Sequence, residues 1–103
     1  RIFVYRDEFL FSAAPLARLP RKNLVALFRF LLSDAVSPYR FTLSNDVIHL
    51  AYRVHLADLE DGEQRERIGR ELVQMGEKAD ELDTYLVKQF QCPWAAQSRP
   101  END

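Results

Sequence analysis

The sequence predicts an α+β domain, an antiparallel β-sheet packed with two helices in the order β-β-α-β-β-α. Three patterns carry that reading. Residues 39–56 hold two runs of strict alternation around Ser44-Asn45-Asp46. Tyr39, Phe41 and Leu43 share one face of the first run, and Ile48, Leu50, Tyr52, Val54 and Leu56 share one face of the second. A period of two puts successive side chains on opposite faces of a strand, so each run is half buried. Asn and Asp tolerate positive φ, which suits a tight antiparallel hairpin. The other two patterns are helical, over residues 21–33 and 62–90.

In chain order, Ile2-Phe3-Val4-Tyr5 and Phe9-Leu10-Phe11-Ser12-Ala13 are rich in β-branched and aromatic residues. They read as two short strands, or as one long strand bulged at Arg6-Asp7-Glu8. Pro15 and Pro20 bracket a connector that a central strand would not tolerate, since proline lacks the donor. Pro20 also suits a helix start.

In the first helix Leu24, Leu27, Phe28 and Leu31 recur at i, i+3, i+4 and i+7. Val25 and Leu32 widen the stripe on one side and Phe30 on the other. At about 100° per residue the apolar arc covers roughly 220°, more than one sheet can bury. A second partner is therefore expected, either the C-terminal helix or another copy of the chain. Ser37-Pro38 lies beyond its end, where the residue before proline avoids helix.

Ala57 to Gly62 reads as a turn, with Asp58 or Asp61 as cap and Asp61–Gln64 as a capping pair. The helix that follows carries Ile68, Leu72, Met75, Ala79, Leu82, Leu86 and Phe90 within an arc of roughly 80°, a narrow seam. At 1.5 Å per residue it is about 43 Å long, against about 30 Å for the strand 48–56. It must break, overhang or lie against something beyond its sheet. Gly69 and Gly76 flank the seam, either as tolerated glycines or as a groove for another backbone. Residues 1–92 read as one domain and 93–103 as a tail, disordered from Gln97.

The 103 residues are 47% hydrophobic and 29% charged, with a formal net charge of −2. That balance does not supply the basic stripe of a nucleic-acid surface. No apolar run approaches the ~20 residues that span a bilayer, and no signal peptide opens the chain. The single Cys92 has no internal partner, so the expected compartment is a reducing cytoplasm. A strand-like start without Met reads as part of a longer protein.

No phosphate loop, metal motif or Ser-His-Asp grouping appears, and no cofactor is expected. His49 and His55 lie on the polar face of the second hairpin strand with Arg53 between them, about 20 Å apart and too distant to share a metal. Cys92 follows a helix C-terminus, whose dipole disfavours a thiolate. Glu77, Asp80, Glu81 and Asp83 form a solvated helix face, with Asp83 at the seam's edge ready to accept a hydrogen bond from the first helix or the sheet. Trp94 and Tyr85 either anchor a partner or cover the end of the core.

The element order resembles the type III secretion chaperone-like fold, and in particular the YbjN-like group of bacterial domains. The resemblance rests on Ala14-Pro15-Leu16-Ala17-Arg18-Leu19-Pro20, Asn23-Leu24, Leu31-Leu32, Tyr39-Arg40-Phe41-Thr42-Leu43, Ile48-His49-Leu50, Val54-His55-Leu56, and Ala79-Asp80 with Asp83 and Leu86. It covers most of residues 1–90. Members usually carry a helix before the first strand, which this chain lacks. The resemblance implies a non-enzymatic role. Secretion chaperones are homodimers that hold an unfolded effector segment on apolar patches, and YbjN-like domains have suggested regulatory or protein-binding roles.

The expectation is thus a protein-binding domain, chaperone-like or regulatory, that homodimerises and can hold an extended client. Its candidate residues are Val25, Phe30, Leu32, Arg53, Gly69 and Gly76, together with the hairpin's outer edge as a site of β-augmentation. The alternatives are a regulatory or scaffold domain of a longer protein, and a small enzyme, which would need a pocket of convergent polar groups.

Overall fold

A computed structural model describes residues 2–6 and 9–95 of the chain, with side chains from residue 9 onward. The strands are β1 (Ile2–Arg6), β2 (Phe9–Arg18), β3 (Arg40–Ser44) and β4 (Val47–His55). The α-helices are α1 (Leu24–Leu31) and α2 (Gly62–Phe90), with a 3-10 turn at Leu56–Glu60 before α2. All four strands form one antiparallel sheet in the order β1-β2-β4-β3. The fold is α+β, and β1 and β2 are two paired strands. The alternative bulge at Arg6-Asp7-Glu8 falls partly on residues outside those described, as does the expected disordered tail from Gln97.

The hairpin forms at the expected place. Ser44 pairs with Val47, and Asn45 and Asp46 both hold positive φ, 52° and 65°. A two-residue loop with positive φ at both positions matches the twist of the flanking strands. Ile48, Leu50, Tyr52 and Val54 are all buried on the face that α2 covers. The opposite face carries His49, Arg53 and His55, with Phe9 opposite His55 and Phe11 opposite Arg53 on β2.

Helix α2 runs unbroken through 29 residues. The Asp61 carboxylate accepts the Glu63 N–H at 2.9 Å and so caps it. Gln64 does not reach back to complete a capping pair, because its side-chain oxygen accepts from Arg67 instead. At the other end Gln91 is left-handed and the Cys92 N–H donates to Leu86 O, a backbone closure of the last turn. Ile68, Met75, Ala79, Leu82 and Leu86 are buried, and Leu72 and Phe90 are half-buried against the same core. The excess length over the sheet is used at both ends. The 3-10 turn packs beside α2, with Arg65 donating to Leu59 O, and Phe30 of α1 stacks on Tyr85 and Phe90.

Helix α1 is shorter than its pattern, which predicts residues 21–33. Asn23 sits at φ 63°, ψ 29°, a left-handed conformation that cannot continue a helix backwards into Arg21-Lys22. Its side chain does not cap α1 but donates to Gln91 Oε1 at 3.2 Å. At the far end Ser33 closes the last turn with two donors to Phe30 O, its backbone N–H at 3.1 Å and its hydroxyl at 2.6 Å.

Contact with the sheet continues past residue 92. The Arg18 N–H donates to Pro93 O at 2.9 Å, and Ala17 pairs with Trp94 on the side of β2 that β1 leaves uncovered. Among the described residues no helix is long and apolar enough to cross a membrane.

Candidate functional site

The apolar arc of α1 is only partly buried. Leu27 is fully enclosed, and Phe30 and Leu31 are half-buried beside it. On the other flank Leu24 and Phe28 are each 37% exposed, Val25 is 69% and Leu32 is 87%. Leu24, Phe28 and Leu32 are spaced by four residues, so they form one continuous ridge with Val25 at its side. Next to it Leu43 of β3 is 49% exposed. A shallow hollow of about 260 Å³ lies between helix and strand, lined by Phe28, Leu31, Leu32, Phe41, Thr42 and Leu43. β3 is an edge strand, so its outer backbone groups have no partner strand within the described fold. The only charged residue within α1 is Arg29.

The six candidate residues do not form one surface. Val25 and Leu32 lie on the exposed ridge. Phe30 points the other way, with its ring 5.5 Å from Phe41, 5.1 Å from Tyr85 and 5.7 Å from Phe90. It joins α1 to α2 and β3, supplying part of the second partner that the wide arc required. Arg53 is on the open sheet face, its guanidinium 4.4 Å over the Phe9 ring. That same ring lies 4.3 Å from His55. Gly69 is exposed, and a Cβ built there meets nothing within 4 Å, so among the described residues no close approach requires a glycine. Gly76 lines a separate hollow with Ala14, Pro15, Val73, Asp80 and Asp83, on the β2 side of the molecule and away from β3.

The polar candidates are held locally. His49 is half-buried rather than exposed, and its Nδ1 lies 3.2 Å from Val47 O, to which it donates in that tautomer. Asp83 accepts from its neighbour Thr84 at 3.2 Å rather than from α1 or the sheet. Cys92 is buried, and loss of hydration pushes its thiol pKa up, away from nucleophilic character. Tyr85 is largely exposed and packs its ring on Phe30 and Phe90. Among the described residues no group of three or more His, Cys, Asp or Glu is placed to hold a metal ion.

The strongest polar cluster escaped the sequence reading. The Tyr52 hydroxyl donates to Glu71 Oε1, and the Tyr39 hydroxyl donates to the Glu71 backbone oxygen at 2.6 Å. Arg67 completes the set with an ion pair to Glu71 at 3.0 Å. The two tyrosine rings meet edge to face at 5.4 Å. Burial, followed by the bond to Glu71, pushes the Tyr52 pKa far up, and burial with the Glu71 charge raises that of Tyr39. Both phenols are thereby held neutral, as donors that pin α2 to the sheet. The sequence signal was faint, since alternation put Tyr52 on the buried face without showing what its hydroxyl would meet.

No family model matches the chain, and no curated protein matches it significantly.

Proposed function

We propose that the chain is a non-enzymatic protein-binding domain that self-associates as a homodimer through α1 and the edge strand β3. The observation that carries this reading is the ridge Leu24–Phe28–Leu32 with Val25, continuous with Leu43 on an unpaired sheet edge. Apolar side chains this exposed, clustered rather than scattered, mark an interaction surface. A two-fold contact there lets each ridge cover the other, and β3 pairing with its copy removes both open edges. On α2 the exposed Val73 stands next to Glu77, Asp80 and Glu81, whose like charge disfavours pairing that stretch with its own copy.

This arrangement suits a secretion-chaperone-like or YbjN-like domain, in keeping with the element order and the motif residues of the chain. An extended client would then occupy the outside of the dimer. A domain of the same fold that acts as a scaffold within a longer protein would use the ridge for a different partner. Leu32→Asp and Val25→Asp separate these readings from a merely solvated face. Both side chains project from the fold, so each substitution leaves the monomer within about 0.5 kcal/mol of its stability. Each should weaken self-association by at least about tenfold, read by analytical ultracentrifugation, since it buries a charge at an apolar contact. Unchanged association in both variants would place the interface elsewhere.

A further inference from the structure

We propose that the hollow beside Arg18, where the end of β2 meets β4, α2 and Trp94, binds a small organic carboxylate with an apolar body. β2 is ten residues long, but β1 accompanies only Phe9–Ala13. Beyond the register shift at Pro15/Ala17, Pro93 and Trp94 take the place of β1 beside the strand, and a hollow of about 680 Å³ opens there between β2, β4 and α2. Arg18, His49 and Asp83 are its ionisable lining, and Pro15, Val47 and Trp94 give it apolar walls.

Arg18 is the reason to expect an anion. It is half-buried, its Nε is shut off from solvent without a hydrogen-bond partner, and its guanidinium pairs with no carboxylate among the described residues. A partly desolvated guanidinium that no described carboxylate pairs with directly is costly, and an incoming anion relieves that cost. A guanidinium presents parallel N–H donors whose geometry matches the two oxygens of a carboxylate.

The other walls narrow the class. Asp83 places a negative charge in the same hollow, which penalises a doubly charged anion such as sulfate more than a monoanion. Pro15, Val47 and the Trp94 ring favour a ligand with a hydrophobic or aromatic body over a bare ion. Because His49 Nδ1 is turned to Val47 O, its Nε2 is the nitrogen left for a ligand. The hollow is separate from the α1 ridge.

Titration of the full, isotope-labelled chain with benzoate, followed by amide NMR, tests it. Saturable shifts are expected at Arg18, Val47 and His49, with millimolar or tighter affinity. Arg18→Gln should weaken binding by about tenfold or more, as expected for losing a charged hydrogen-bonding partner. Asp83→Asn should strengthen it by roughly threefold by removing a like charge, a gain that partial unfolding cannot mimic. Three results would overturn the proposal: no saturable shift up to about 50 mM, far weaker than a built site gives; equal or weaker binding in Asp83→Asn; or sulfate displacing benzoate at equal concentration.

Discussion

At the scale of single residues, Glu71 does more than its charge suggests. Its carboxylate takes the Tyr52 hydroxyl and Arg67, while its backbone oxygen takes Tyr39, so one residue of α2 is tied to β4 and to the segment before β3. Tyr52→Phe leaves packing nearly intact and removes one hydrogen bond to a charged group, which should cost about 1.5–3 kcal/mol in urea unfolding. The raised phenol pKa values also set a pH dependence. A group whose pKa is higher in the folded state stabilises the fold fully below its unfolded value, here 10.0, and that contribution fades as pH rises towards the folded value. The melting temperature should therefore fall above pH 10.0, and the double variant Tyr39→Phe/Tyr52→Phe should show a flatter profile over that range. An equally steep fall in the double variant would assign the alkaline loss to other groups.

At the scale of elements, the hairpin and α2 were legible because each follows one period without interruption. Tyr52 and Val54 are buried where alternation puts them, and Ile68 to Leu86 bury the seam that their spacing draws. The turn was legible from Asn45-Asp46 because few residues accept positive φ. Asp46→Val should therefore lower stability by about 1–2 kcal/mol in thermal unfolding, whereas Asp46→Gly should not. Helix α1 was less legible. Its apolar pattern extends over more residues than its backbone does, because Asn23 spends its conformation on a left-handed entry and its side chain on Gln91. Phe30 and Leu32 are two residues apart in one stripe, yet one closes an aromatic cluster and the other stands in solvent. Periodicity gives the width of a face but not which flank finds a partner. The pairing of Trp94 with Ala17 was unreadable for a different reason: it joins residues 77 positions apart and obeys no local pattern.

At the scale of the whole molecule, the fold covers one face of its sheet with α2 and leaves an apolar ridge and a short edge strand together on one side. Eight residues of α1 have little helical stability of their own, so packing must hold the element in place. Leu27, Phe30 and Leu31 supply that packing from within the chain, and the ridge offers a second surface to be covered from outside. A second copy is the proposed cover. The most direct test is molar mass by light scattering after size exclusion, over a wide concentration range, for the wild-type chain and Leu32→Asp in parallel. The wild type should run at twice 12.1 kDa and the variant at 12.1 kDa. A wild-type chain that stays at 12.1 kDa throughout, or a variant that dimerises as the wild type does, would contradict it.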